Sequence, residues 1–130
     1  MILASGCFDG LHAGHVAYLN AAKSLAQEGE TLIVAIAPDD YIRTDKGREP
    51  YWGQEQRAVV VSELHAVSNV RTPRDVSAAM TIRQIEPRLF VKGSDWAGRL
   101  PADVVDACRD VGCLIVYVET PGKHTSEAMK

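Results

Sequence analysis

Thr31 to Ala37, TLIVAIA, is an unbroken run rich in β-branched residues, with no alternation of polar and apolar positions. A strand with one face in water alternates. A strand without alternation is covered on both faces, as in a parallel sheet with helices above and below. The flanking segments fit that arrangement. Ile2 to Cys7 is a short apolar run that ends at a glycine-rich turn and reads as a second buried strand. From Gly14 to Glu28, Val16, Leu19, Ala22, Leu25 and Ala26 recur at helical spacing, and Gly29 follows as a stop. Asp39 to Gly53 carries charges, Gly47 and Pro50, and reads as a mobile loop. Gln54 to Ala66 reads as a helix with Val60, Val61 and Leu64 inward, and Val67 to Thr72 as a short strand. Arg74 to Glu86 reads as a helix stopped by Pro87. Leu89 to Lys92 is a strand, Pro101 to Val111 a helix and Leu114 to Val118 a strand; a last helix is expected near Thr125. Strands alternating with helices imply right-handed crossovers. The expected fold is α/β: a Rossmann-like, doubly wound parallel sheet of about five strands in three layers. Such sheets bind ligands beyond the carboxyl ends of their strands, where strand order reverses.

With 130 residues, 46% of them hydrophobic, the chain is expected to form one domain over residues 1–130, around one site. The net charge is −3 and no basic block occurs, which argues against nucleic acid and leaves a small anionic substrate open. The three cysteines, Cys7, Cys108 and Cys113, are odd in number and form no CxxC pair, so no disulfide scaffold is expected. Cys108 and Cys113 read as small core residues. No apolar run approaches the roughly 18 residues of a membrane span. The first residues read directly as a strand, without a basic stretch or cleavage site. The cytoplasm is the expected compartment.

The segment after the first strand is Gly6-Cys7-Phe8-Asp9-Gly10-Leu11-His12-Ala13-Gly14-His15. It opens a helix, whose N-terminal NH groups attract anions, and glycine lets a phosphate approach the backbone. His12 and His15 are three apart and share a helical face. Two imidazoles beside a phosphate donate to its oxygens and stabilise charge that grows during phosphoryl transfer. The pattern is neither GxGxxG nor a P-loop. Two other readings compete: Cys7, Asp9, His12 and His15 as zinc ligands, and histidines that merely cap the helix.

The stretch GCFDGLHAGH resembles the GxFDxxHxGH signature of the cytidylyltransferase-like nucleotidyltransferases. Other landmarks follow in that family's order. Asp45-Lys46-Gly47 and Arg48-Glu49-Pro50 resemble a loop carrying a phosphate-binding lysine. Gln54-Glu55-Gln56-Arg57 resembles the start of its EQR or ERR helix, and Phe90 to Trp96 its nucleotide-binding KGxDW segment. Thr120 to Ser126 stands where a closing STT motif belongs. The resemblance implies in-line displacement at the α-phosphate of a nucleoside triphosphate, carried by Mg²⁺, by a phosphate oxygen of a second small substrate. No covalent enzyme intermediate is implied. It assigns catalysis to His12, His15 and Lys46. It assigns nucleotide binding to Cys7, Phe8, Asp9, Gly14, Lys92, Gly93, Asp95, Thr125 and Ser126, and substrate binding to Lys46, Arg57 and Trp96. It also implies a homodimer. The resemblance includes no metal ligands supplied by the protein.

Departures from the motif bear on the substrate. The closing run is His124-Thr125-Ser126, and Glu119 stands where the glycerol-3-phosphate cytidylyltransferase branch has an arginine. Pro121-Gly122, Lys92-Gly93 and the wording GCFDGLHAGH resemble the ADP-heptose synthase branch, whereas Asp95 to Arg99 resembles the glycerol-phosphate branch. The leading expectation is nucleotidyl transfer to a phosphorylated sugar of the heptose 1-phosphate type. The alternatives are a CTP-dependent glycerol-3-phosphate enzyme and a nucleotide-binding regulatory protein with little turnover. Loop shapes over Asp39 to Gly53 and Asp95 to Pro101 are expected to set the second substrate.

Overall fold

The computed structural model describes residues 1–119. Five strands form one parallel sheet: β1 (Ile2–Gly6), β2 (Leu32–Ile36), β3 (Asn69–Arg71), β4 (Leu89–Gly93) and β5 (Leu114–Val118), in spatial order β3-β2-β1-β4-β5. Ile2 lies beside Leu32 and beside Leu89, so β1 is central. Every residue of β2 is buried, as its unalternating composition requires. Helices α1 (Ala13–Ser24) and α3 (Gln54–Ser62) pack on one face against Ile2, Ala4, Leu32, Val34 and Val91. Helices α4 (Ala79–Ile85) and α5 (Ala102–Val111) pack on the other against Leu3, Ile33, Ala35 and Phe90. The result is the three-layer, Rossmann-like α/β fold. Strand order reverses between β1 and β4, and Cys108 and Cys113 are both core residues.

The expected mobile loop at Asp39 to Gly53 is corrected: residues Asp39–Lys46 form a helix, α2. Pro38 at its N-cap fixes an extended entry, Asp39 and Asp40 occupy the first turn, and Arg43 pairs with both Asp40 and Glu49. Only Ile42 is buried, so periodicity gave no signal. Gly47, at φ 66°, ends the helix. Helix α4 is shorter than expected because Ser77 accepts the Ala79 amide NH and donates to Asp103, turning Arg74 to Ala78 into a loop. Helix α1 stops at Ser24, before Gly29, which instead turns the chain at φ 78°.

Helix α3 meets the expected orientation at Val61, which is buried, and Leu64 just past its end packs on the core; Val60, however, is 52% exposed, and Arg57 and Ala58 face the core instead. The reason is Arg57, which is 2% exposed. Its Nε donates to Trp52 O, its Nη1 to Cys7 O and Ala37 O, each at 2.8 Å, and its Nη2 to Asp39 Oδ1 at 2.7 Å. One guanidinium therefore ties together the segments leaving β1 and β2 and the chain entering α3. Removing it strands three carbonyls and a carboxylate. Arg57→Met is expected to lower the unfolding free energy by about 3–5 kcal/mol in a denaturant titration; a loss below about 1 kcal/mol would show that water replaces those bonds.

Candidate active site

A cavity of about 640 Å³ lies over the carboxyl ends of β1, β2 and β4, at the reversal of strand order. Its floor begins with the turn after β1. Gly6 is required there: a Cβ on it would lie 2.9 Å from the Phe8 ring. Phe8 itself adopts φ 53° with its ring buried, 5.3 Å from that of His15. The next residue, Asp9, has its carboxylate engaged by three neighbouring donors. It accepts from Arg48 Nη1 and Tyr51 N at 2.8 Å and from Trp52 N at 3.0 Å, and its side chain is 2% exposed. Burial alone would raise its pKa, but these donors outweigh burial and hold it below the usual value. Asp9 thus fastens the segment that follows Lys46 to the glycine-rich turn.

His12 and His15 cap α1 and also line the cavity. His12 Nδ1 accepts from Gly14 N at 3.0 Å, and His15 Nδ1 accepts from His12 N at 3.1 Å. Their ring centroids are 3.9 Å apart. The capping reading and the catalytic reading therefore describe one geometry. An Nδ1 that accepts leaves the proton of a neutral ring on Nε2, so both rings are set as N–H donors toward an anion. Burial, then His12 and Lys46, pushes the His15 pKa down to about 4, which keeps that ring neutral at physiological pH.

Lys46 ends α2 and lines the same cavity. On the β4 side, Lys92 Nζ donates to Ser5 O at 3.1 Å and Ser5 Oγ at 3.3 Å and sits 4.6 Å from the Trp96 ring centroid. Burial pushes its pKa down to about 8. Cys7, whose thiol pKa burial raises, lines the cavity with Gly14, Gly93, Asp95 and Trp96. The structure thus gathers His12, His15, Lys46, Cys7, Phe8, Asp9, Gly14, Lys92, Gly93, Asp95 and Trp96. Arg57, expected to bind substrate, is not among the residues lining this cavity, and its bonds run to backbone carbonyls and Asp39. Glu119 is exposed and is not part of the lining. Thr125, Ser126, His124 and the Pro121-Gly122 pair lie outside the described residues.

Sequence reasoning missed Tyr41, Arg48 and the Pro73 to Ala78 loop, all of which line the cavity. Arg48 sits two residues past Lys46, which was a usable signal. The loop comes to the site only because β3 stands beside β2, and strand order cannot be read from composition.

The His15 environment has a measurable consequence. By NMR, its imidazole is expected to titrate near pH 4 rather than 6.5, and higher when pyrophosphate is added, because an anion at Nε2 favours the charged ring. A folded-state pKa below the unfolded one means that acid favours unfolding. The contribution to stability is full above about pH 6.5 and is lost as pH falls toward 4. A midpoint of about 6.5 would place the ring in water instead.

With this geometry established, comparison with known proteins gives a consistent result. The cytidylyltransferase-like family model matches residues 3–128. The "Bifunctional protein HldE" of Wolinella succinogenes is 39% identical over all of this chain, which covers 26% of that protein. The protein of the same name from Coxiella burnetii is 38% identical, again over the whole chain and 27% of its own length. The chain thus spans about a quarter of these relatives. Among solved structures, a lipopolysaccharide core biosynthesis protein from Thermoplasma volcanium superposes with a TM-score of 0.74 at 25% identity, covering 91% of this chain and 95% of that one. Motif, fold and cavity agree with these matches: the chain belongs to the cytidylyltransferase-like family and is a nucleotidyltransferase.

Proposed function

We propose that the chain transfers the nucleotidyl group of a nucleoside triphosphate, ATP in the leading reading, to a phosphorylated sugar of the heptose 1-phosphate type. The observation that carries this reading is the pair of imidazoles, each fixed by its own Nδ1 hydrogen bond, beside Lys46 at the strand reversal. An acceptor phosphate oxygen attacks the α-phosphorus. The bond from that phosphorus to the bridging oxygen breaks, and pyrophosphate leaves with the electron pair. Charge accumulates on the phosphate oxygens during the exchange, where preset N–H donors and a lysine act without reorganising. Mg²⁺ enters with the triphosphate as part of the substrate.

The sugar-phosphate reading is supported by the features resembling the ADP-heptose synthase branch, Lys92-Gly93 and GCFDGLHAGH, and by the company of the HldE proteins. The same reading takes the chain as a cytosolic homodimer. Trp52, Val59 and Val60 are exposed on and just before α3, an apolar face suited to a second copy. No helix among the described residues is long and apolar enough to cross a membrane.

Pyrophosphate release with Mg²⁺, the four common nucleoside triphosphates and a panel of sugar and polyol phosphates tests the proposal. Activity is expected with ATP and a sugar 1-phosphate; CTP with glycerol 3-phosphate as the sole active pair would overturn the sugar assignment. His15→Ala is expected to lower kcat by about 100-fold to 1,000-fold, with circular dichroism unchanged. Undiminished turnover in that variant would remove the imidazole from the chemistry.

A further inference from the structure

The two ends of the cavity differ in their side chains. Over β4, the wall carries Lys92, Asp95, the Trp96 ring and Arg99. Over β2 and β3, on the far side of His12, His15 and Lys46, it carries Tyr41 and Asp45 of α2 and Asp75 of the loop after β3. Tyr41 and Asp45 are one helical turn apart on α2, and the Asp45 carboxylate lies close enough to act on the phenol. Burial, Asp45 and Cys7 push the Tyr41 pKa up to about 12, so the hydroxyl keeps its proton. Asp45 and Asp75 form no ion pair among the described residues, although both carboxylates line a site for anions.

The loop bearing Asp75 is held at both ends. Gln54 Nε2 donates to Ile36 O and Pro73 O, each at 2.8 Å, and Ser77 donates to Asp103 of α5. Asp75 therefore stands at a fixed place opposite α2. Carboxylates accept hydrogen bonds from hydroxyl groups and repel a second anion.

We propose that Tyr41, Asp45 and Asp75 are specificity-determining residues for the acceptor: they receive an uncharged, hydroxyl-rich carbon skeleton bearing a single phosphate, and they turn away acceptors with a second anionic group. The inference rests on the transfer reaction proposed above and adds a charge rule for its second substrate. The phosphate lies at the imidazoles and Lys46, and the hydroxyls lie against the carboxylates. The phenol spaces the two acidic groups and supplies a polar edge to the skeleton.

The test uses the full chain, saturating nucleoside triphosphate and pyrophosphate release, with a sugar monophosphate compared against the matching sugar bisphosphate. The unaltered chain is expected to favour the monophosphate in kcat/KM by about tenfold or more. Asp75→Asn is expected to narrow that ratio at least about threefold, because it removes charge while keeping an acceptor oxygen. Tyr41→Phe is expected to raise the acceptor KM about fivefold. In both variants the triphosphate KM is expected to stay within about twofold. A monophosphate-to-bisphosphate ratio unmoved by Asp75→Asn, or a triphosphate KM that shifts as much as that of the acceptor, overturns the inference alone. Triphosphate binding without turnover on any phosphorylated acceptor overturns the transfer reading and this inference with it.

Discussion

The buried guanidinium of Arg57 is the constraint on which the site depends. The segments leaving β1 and β2 end in carbonyls that point past the sheet, where ladder partners run out. Arg57 donates to two of them, Cys7 O and Ala37 O, and to Trp52 O, and its charge is answered by Asp39. A buried ion pair is weak evidence of net stability, since desolvation offsets most of the attraction. Its value here is geometric. It sets the distance between the glycine-rich turn and α2, and hence between the imidazoles and Lys46. Asp9 performs the matching task from the other side, binding Arg48 and the amides of Tyr51 and Trp52. The segment between α2 and α3 is thus held by a cation beneath it and an anion beside it.

The same economy of groups governs the histidines. An ordinary cap is a hydroxyl or a carboxylate. A carboxylate at these two places would repel a phosphate from the helix N-terminus, and a hydroxyl would not extend far into the cavity. Imidazole satisfies the orphan backbone NH with one nitrogen and presents a donor with the other. Depression of the His15 pKa toward 4 follows from the same crowding, and it is compatible with the proposed reaction because a hydrogen bond from a neutral ring suffices to stabilise a phosphate oxygen.

What was legible in the sequence follows from these facts. Strands β1, β2 and β4 were readable because a strand covered on both faces is apolar nearly throughout, and β5 was readable as an apolar run although Leu114 and Tyr117 are exposed at the sheet edge. The glycine-rich turn and its histidines were readable because their composition has few other uses. Helix α2 was not, since only Ile42 faces the core and the rest of its stability is capping and charge. On α3, Val61 was readable as inward but Val60 was not an inward position, because part of that side is taken by a charged residue, Arg57. An arginine buried by four hydrogen bonds looks, in a linear sequence, the same as an arginine in water. Lys92 falls between these cases: its motif marked it, but its burial against Ser5 and Trp96 depends on β4 lying next to β1.

That adjacency also separates the parts of the site that stay fixed from those free to change. In the proposed reaction, phosphate would meet the turn after β1, the first turn of α1 and the end of α2, where Asp9 and Arg57 tie the segments together. The wall over β2 and β3 belongs to a different set of contacts: an exposed loop held only by Gln54 and Ser77, and the upper turn of a helix with a single buried residue. Side chains such as Tyr41 and Asp75 are replaceable without cutting a bond of the frame. In the proposed reaction, selection among acceptors would fall to this wall, because among the described residues its side chains take no part in the bonds that hold the frame.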